Sequence, residues 1–219
     1  MADTQERLSR TIWLGGGLVI ILICVTFVSS RMKHRAGQPG PTLPVIGPVA
    51  DFTLTNQAGG EVTLADLRGR VWLADIIFTR CAGPCPRMSR QMRSVQDALP
   101  AGSHVKLISL TTDPDFDSPK VLREYAERFG ADPNRWMFLT GTKREIGHLA
   151  IDSLKLTTVE TKPEEREDDA DLFVHSTIFV LVDKQARLRG VFQTDGEGVE
   201  WTNVLPVIVS SIQRLEDEP

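Results

Sequence analysis

An uncharged apolar run near the start of the chain limits what it can fold into more than any other feature. The 20 residues Thr11–Ser30 contain no Asp, Glu, Lys or Arg, and a helix needs about 20 such residues to cross a ~30 Å hydrocarbon core. Trp13 lies near one end of the run, and Arg31, Lys33 and Arg35 follow the other, as is typical of membrane interfaces. A cleavable secretory signal is the alternative, but its apolar region would be shorter. The run therefore predicts an uncleaved transmembrane anchor.

The anchor divides the chain into four parts. Residues 1–10 form a short N-terminal tail, 11–30 the anchor, 31–48 a linker rich in Pro and Gly, and 49–219 one folded domain. Basic residues flank the anchor in nearly equal numbers, so their count decides little about its orientation.

Charge and cysteine content exclude several classes of protein. The chain has 25 Lys and Arg against 29 Asp and Glu, a net charge of −4, so nothing suggests a protein that binds nucleic acid through its phosphates. Its 3 cysteines are too few for a disulfide scaffold. The remaining interpretation is a membrane-tethered globular domain with few reactive side chains.

Strand-like and helix-like patterns alternate after residue 48. The predicted strands are Phe52–Thr55, Glu61–Leu64, Val71–Phe78, Val105–Leu110, Trp136–Leu139, Thr177–Val182 and Leu188–Phe192. The predicted helices are Pro86–Leu99, Ser118–Phe129, Thr142–Leu154 and Glu200–Leu215. Strands joined by a tight turn run antiparallel, so the sheet cannot be purely parallel. The order predicts an α/β fold with a mixed sheet flanked by helices on both faces.

Two cysteines lie outside the anchor, and both fall between a predicted strand and a predicted helix. Cys81 and Cys85 occur in the sequence TRCAGPCPRM, whereas Cys24 lies inside the anchor. Pro86 disfavours a helical Cys85 and suits the first helical position, so Cys85 is expected at the start of the helix. Backbone N–H groups and the helix dipole there favour a thiolate.

The flanking charges strengthen that expectation, because Arg80 and Arg87 would place positive charge on either side. A thiolate is both the nucleophile of disulfide exchange and a soft ligand for copper. The pair therefore predicts one of these two chemistries. A purely stabilising disulfide, or two inert core cysteines, is the simpler alternative.

Other polar side chains are candidates of lower specificity. Asp75 lies six residues before Cys81 in an otherwise apolar strand, where desolvation should raise its pKa and let it exchange protons with a thiol. Satisfaction by neighbouring backbone or Arg groups is the alternative. His175 stands at the entrance of a strand, and its spacing alone does not distinguish it from the other histidines. Asp113, Asp115 and Asp117 are interpreted mainly as turn formers before a helix cap.

Three separated segments give the chain a family resemblance. Phe78–Met88, Ile108–Gly130 and Val174–Gly190 resemble the Sco/SenC proteins, which are membrane-anchored copper-binding proteins that serve assembly of the dinuclear copper centre of cytochrome c oxidase. The resemblance covers about residues 50–215. It implies a thioredoxin-like fold, with the domain on the extracytoplasmic (periplasmic) side of the membrane. The implied partner is the copper-bearing oxidase subunit or another copper or thiol protein.

The same resemblance implies a metal site formed by Cys81, Cys85 and His175. Two thiolates and one imidazole suit Cu(I) in a trigonal arrangement, and Cu(II) with an added oxygen ligand. Structural zinc would need a fourth protein ligand, and no further Cys or His lies in a matching motif.

Some residues instead resemble thioredoxins. Ala82 and Gly83 replace the proline and the acidic residue usual in Sco proteins, Gly83-Pro84-Cys85 resembles the end of a thioredoxin active site, and Asp75 matches the thioredoxin buried acid. The alternative function is therefore a thiol–disulfide oxidoreductase acting on extracytoplasmic cysteine pairs. Cys81 and Cys85 would be its catalytic residues, joined as a disulfide when oxidised, with Asp75 moving the proton. A peroxide-scavenging enzyme ranks lower, because the threonine–cysteine motif is missing.

Overall fold

A computed structural model of the chain describes residues 42–156, 158–160, 173–175 and 177–219, with strands 158–160 and 173–175 described as backbone. The chain divides into two compact units between Thr42 and Leu43, and the second unit carries the fold described below. The predicted anchor lies outside the described residues. Within the described ranges, none of the helices has the length and apolar character that a membrane crossing requires.

The described residues form ten strands and five α-helices. The strands are β1 Gly47–Pro48, β2 Thr53–Asn56, β3 Glu61–Thr63, β4 Trp72–Ile77, β5 Lys106–Thr111, β6 Trp136–Thr140, β7 Thr158–Glu160, β8 Phe173–His175, β9 Ile178–Val182 and β10 Arg187–Gln193. The helices are α1 Leu64–Leu67, α2 Cys85–Ala98, α3 Pro119–Arg128, α4 Lys143–Gly147 and α5 Trp201–Asp217, and a π-helix, His148–Ser153, directly follows α4.

Eight of these strands form one mixed sheet, in the order β1-β10-β9-β4-β5-β6-β2-β3. The pairs β4–β5 and β5–β6 are parallel, and every other pair in this sheet is antiparallel. Strands β7 and β8 pair separately as a two-stranded sheet. The predicted α/β fold with a mixed sheet is therefore confirmed.

Strand β4 lies at the centre of the sheet and contributes to both cores. Its side chains alternate between the two faces, so that Leu73 and Ile77 join the core cluster containing Met88 of α2. Trp72 joins the opposite cluster. The first cluster also contains residues of α5, and the second contains residues of the π-helix. Helices thus cover both faces of the sheet, as predicted.

The structure differs from the predicted elements in a few places. The helix predicted over Thr142–Leu154 is the short α4 continued by a π-helix. The two-residue strand β1, which falls in the predicted linker, pairs with β10. The elements α1, β7 and β8 were not predicted. These three elements and β1 are all very short, and short elements carry too little periodicity to be recognised from the sequence.

The predicted ends of α3 are confirmed. Ser118 caps the helix by accepting a hydrogen bond from the N–H of Val121 at 3.4 Å, and Pro119 occupies the first turn. Gly130 follows the helix with a φ of +66°, a left-handed conformation that glycine adopts without steric cost.

Candidate dithiol and metal site

The cysteine loop leaves the sheet at the end of its central strand. Strands β4 and β5 are parallel, with Ile77 opposite Thr111, so the loops that follow both strands start at the same edge. Cys81 lies four residues after β4, and Cys85 is the first residue of α2. The sequence prediction of a strand-to-helix junction at the cysteines is therefore confirmed.

The structure brings the two sulfurs together as thiols. Cys81 is 8% exposed and Cys85 is fully buried, and their side chains share a hydrogen bond. The N–H of Phe78 donates a second hydrogen bond to Sγ of Cys85 at 3.5 Å. A dithiol in this contact can close to a disulfide or offer two sulfur ligands to one ion.

The environment of Cys85 favours the thiol and not the thiolate. Burial raises the pKa of the Cys85 thiol, the hydrogen bond and charge of Cys81 and the charge of Asp75 raise it further, and the Phe78 N–H opposes them. The raised pKa runs against the expectation of a thiolate at the start of the helix, and desolvation by burial is its largest cause.

The two neighbouring arginines form ion pairs with carboxylates. Arg80 lies 2.6 Å from Asp113 and stacks over the Phe116 ring at 4.2 Å, and Arg87 pairs with Asp195. Much of the positive charge expected beside the cysteines is thus balanced within the fold.

Asp75 is fully buried on the face of the sheet that α2 covers. It lies on the same face of β4 as Leu73 and Ile77, which are two residues away on either side. Its charge contributes to the raised pKa values of both Cys85 and Tyr125. The predicted burial of this carboxyl group near the cysteines is confirmed. Its role in proton transfer stays a prediction.

A buried tyrosine, Tyr125, which the sequence analysis does not single out, lies in the same buried polar region as Cys85 and Asp75. The Tyr125 hydroxyl lies 2.9 Å from Oγ of Ser89, one turn into α2, and burial raises the pKa of Tyr125. Nothing in the local sequence marks this tyrosine, because it occupies an ordinary core position of α3.

The loop between β5 and α3 reaches the chain that leads into Cys81. Asp117 is fully buried and accepts hydrogen bonds from the N–H of Thr79, at 3.1 Å, and from the hydroxyls of Thr79 and Thr111. Burial raises the pKa of Asp117, and these hydrogen bonds oppose the shift. Asp117 is more than the turn former the sequence suggested. The meeting of two parallel strand ends was the signal that could have shown it.

His175 is described only through its backbone. It ends β8 and pairs with Thr158, and β9 begins three residues later. Strand β9 runs antiparallel to β4, with Leu181 opposite Leu73, so the start of β9 lies at the edge where β4 ends. Convergence of the His175 imidazole with the two thiols stays a prediction. Among the side chains that the structure does describe, no three His, Cys, Asp or Glu residues form a group suited to a metal ion.

Comparison with known proteins identifies the family. A sequence model described as SCO1/SenC matches residues 47–208. The chain belongs to the SCO1/SenC family. A SCO1 protein homolog of Bacillus subtilis is 37% identical to it over 191 residues, which cover 86% of this chain and 89% of the homolog.

Solved structures of other SCO1/SenC members share the fold. The structure of BsSco, described as a Sco cytochrome c oxidase assembly protein with a disulfide switch, is 30% identical, with a TM-score of 0.66, covering 81% of this chain and 99% of that one. Yeast Sco1 with copper bound is 25% identical, with a TM-score of 0.62, covering 78% of this chain and 90% of that one. The predicted family and thioredoxin-like fold are both confirmed.

Proposed function

We propose that this SCO1/SenC protein binds copper through Cys81, Cys85 and His175, and delivers it to, or prepares, the copper centre of cytochrome c oxidase. The observation that carries the proposal is the contact between the two thiols at the end of the central strand. Family membership supports it, since yeast Sco1 has been solved with copper bound.

The donor atoms fit copper better than a hard cation. Thiolate and imidazole are the ligands that Cu(I) prefers, while Mg²⁺ and Ca²⁺ prefer oxygen. Each thiol releases its proton as its sulfur binds the ion. A buried thiol with a raised pKa keeps its proton until a positive ion balances the charge of the sulfur. This behaviour suits a site that binds copper reversibly.

The position of His175 along the chain supports its role as the third ligand. It precedes Ile178 by three positions, and Ile178 begins β9 at the sheet edge where β4 ends. Three extended residues span at most about 10 Å. The His175 backbone is therefore kept near the sheet edge from which the cysteine loop leaves, and this supports the assignment.

The proposal includes a location. Residues 11–30 anchor the protein as a single transmembrane helix, and the domain faces the extracytoplasmic side, where the copper-bearing oxidase subunit or another copper or thiol protein is its partner. The length and lack of charge of this run support the anchor.

Replacing His175 by alanine tests the ligand set. We expect His175→Ala to lower Cu(II) affinity by more than about 100-fold, since the loss of groups that only support a ligand already costs 10–100-fold. Formation of the Cys81–Cys85 disulfide should be unchanged. Isothermal titration with Cu(II) and thiol counting after mild oxidation provide the two readouts.

His104→Ala is the matched control, because His104 is exposed and lies in the loop that leads into β5. It should bind copper as the unsubstituted protein does. Retained Cu(II) affinity in the His175 variant would contradict the proposed ligand set.

A second candidate function, thiol–disulfide exchange, is favoured by the position of Asp75 beside Cys85. One cysteine thiolate attacks a partner disulfide, forming a mixed disulfide and releasing one partner thiol. The second cysteine then attacks the mixed disulfide, releasing the other partner thiol and closing the Cys81–Cys85 bond. The partner gains two electrons and the two protons that the Cys81 and Cys85 thiols lose, and Asp75 takes up one of these protons and returns it to a departing partner sulfur.

Replacing Asp75 by asparagine tests this mechanism. We expect Asp75→Asn to slow reduction of a model disulfide at neutral pH by about 100-fold, the lower end of what a positioned base contributes. Asp97→Asn, on the exposed side of α2, should leave the rate unchanged. Equal rates for the Asp75 variant and the unsubstituted protein would remove the carboxyl group from the mechanism.

A further inference from the structure

The loop Asp113–Asp117 contacts Thr79 and Arg80, the two residues directly before Cys81. Asp117 accepts hydrogen bonds from both the N–H and the hydroxyl of Thr79, and Asp113 accepts one from Arg80. Both carboxylates come from one short connection between β5 and α3. The entrance of the cysteine loop is therefore held from a neighbouring loop that contains none of the proposed ligands.

Asp117 is suited to such a restraint by its burial and its donors. The carboxylate is fully buried, and three donors from Thr79 and Thr111 point at it. Hydrogen bonds to a carboxylate are about twice as strong as neutral ones, and burial keeps water from replacing them. The N–H of Thr112 also donates to the carbonyl of Ile77 at 2.9 Å, so the first residue after β5 is bonded to the last residue of β4.

The restraint acts on one side of the loop only. Ala82 and Gly83, directly after Cys81, are exposed, and the chain is fixed again where α2 begins at Cys85. The Cys81 backbone is thus held from its N-terminal side, by its attachment to Thr79 and Arg80 and by the hydrogen bond that its N–H donates to the Phe78 carbonyl at 3.3 Å.

We propose that Asp117 is a positioning residue, which holds Thr79 and thereby keeps Sγ of Cys81 covered and in contact with Sγ of Cys85. It does not touch either sulfur in this role. It sets where the first sulfur stands relative to the second.

Variants at two positions separate this role from general stability. Asp117→Asn replaces one acceptor oxygen by an amide donor. Thr79→Val removes the hydroxyl donor at the other end of the same contact, whereas Thr79→Ser keeps it. Thr79 is only partly buried, so the Thr79 pair tests the contact even where the Asp117 variant folds poorly.

The first readout is the rate at which iodoacetamide alkylates the reduced full chain. We expect Asp117→Asn and Thr79→Val to react about tenfold faster than the unsubstituted protein, because a lost hydrogen bond to a charged group changes a local equilibrium by at least that factor. Thr79→Ser should react at the original rate. Mass spectrometry should locate the extra modification at Cys81.

Asp183→Asn is the control for a loss of stability alone. Asp183 is also a buried carboxylate, but it binds Arg187 and Arg189 at the opposite end of β9. Its variant should melt at a lower temperature and yet keep the alkylation rate. Equal acceleration in this control, or rates within twofold of the original in Asp117→Asn and Thr79→Val, would overturn the inference.

The second readout is Cu(I) affinity, measured by competition with a Cu(I) chelator, and this arm rests on the proposed function. We expect about a tenfold lower affinity in Asp117→Asn and Thr79→Val, the lower end of what groups supporting a ligand contribute. Affinity within twofold of the original in both variants would overturn the inference. Failure of the unsubstituted protein to bind Cu(I) would contradict the proposed function, and the alkylation rates would then decide on Asp117.

Discussion

At the scale of single residues, the polar groups around the cysteines are buried beneath α2 and α3. Four polar side chains here have little or no exposed surface, namely those of Asp75, Cys85, Ser89 and Tyr125. They lie within or beside the larger apolar cluster, where few polar partners are available. Buried polar groups of this kind are stable only when they are hydrogen bonded to one another or to the backbone. Their pairwise contacts should therefore be measurable as coupling energies.

The Ser89–Tyr125 contact is the clearest case. Tyr125→Phe should lower the free energy of unfolding by about 1 kcal/mol, and Ser89→Ala by about 1–3 kcal/mol because it leaves the phenol buried without its partner. The double variant should lose less than the sum of the two. Urea unfolding of the reduced protein measures all three, and additive losses would show that the 2.9 Å contact contributes nothing.

The same residues show where a sequence is informative. The proximity of Cys81 and Cys85 and the burial of Asp75 could be predicted, because spacing and an apolar strand determine them. The protonation of Cys85 could not, since it depends on how deeply α2 packs. Asp117 does belong to a turn, but its further hydrogen bonds are harder to predict, because their donors on Thr79 and Thr111 come from two different strand ends.

At the scale of elements, the ends of α3 are defined by residues with specific backbone requirements. Gly130 has a φ of +66°, and a Cβ at this position would meet Nη1 of the Arg93 side chain. Arg93 also donates a hydrogen bond to the Gly130 carbonyl. The glycine therefore serves both the helix end and the approach of α2.

Replacing Gly130 should weaken the fold without affecting the dithiol. Gly130→Ala is expected to lower the free energy of unfolding by about 1–2 kcal/mol, the cost of a left-handed conformation for a residue with a Cβ. Gly102→Ala is the matched control, because φ there is not left-handed and nothing lies within 4 Å of its added Cβ. Chemical denaturation of both variants gives the comparison, and equal stabilities would contradict the explanation.

Most elements of the main sheet were predicted because they are long or strongly patterned. β4 is wholly buried, and α2 and α3 have clear apolar stripes that end at Pro or Gly signals. The π-helix after α4 was not predicted, since its hydrogen bonding changes while its apolar spacing still resembles an α-helix. Strand β1 was assigned to the linker, because Gly and Pro are rare in strand interiors.

At the scale of the whole molecule, Arg189 joins distant parts of the domain. Its guanidinium is 3% exposed and binds Asp183 at 2.8 Å and Glu218 at 2.7 Å, and it donates to the carbonyl of Leu43. The start of the domain, the β9–β10 turn and the C-terminal residues therefore meet at one side chain.

Removing this side chain should be much more damaging than removing its neighbour. Arg189→Met leaves the buried Asp183 carboxylate with a single arginine and should lower the free energy of unfolding by about 3–5 kcal/mol. Arg187 binds the same carboxylate, but its side chain is 39% exposed, so Arg187→Ala should cost about 1 kcal/mol or less. Denaturant unfolding at neutral pH measures both, and similar losses would contradict the importance of burial.

The same network predicts how stability depends on acidity. Burial raises the pKa of Asp183, but hydrogen bonds from Arg187 and Arg189 more than offset this, and the pKa is lowered. Below about pH 4 the unfolded state therefore binds more protons at this position than the folded state. The stability advantage of the original protein over Asp183→Asn should be complete above that pH and shrink as the pH falls further. A constant difference down to pH 3, measured by thermal unfolding, would contradict this.

The unequal cover of the two sulfurs gives any exchange at this site a fixed sequence of events. Cys81 retains some contact with solvent and is followed by exposed residues, whereas Cys85 lies entirely inside, against the Phe78 amide. An incoming protein therefore meets Cys81 first, whether it carries a disulfide or a competing ligand. Cys85 then attacks or binds from the interior and releases the incoming group from Cys81. Transient adducts should accordingly accumulate on the outer sulfur and be resolved by the inner one.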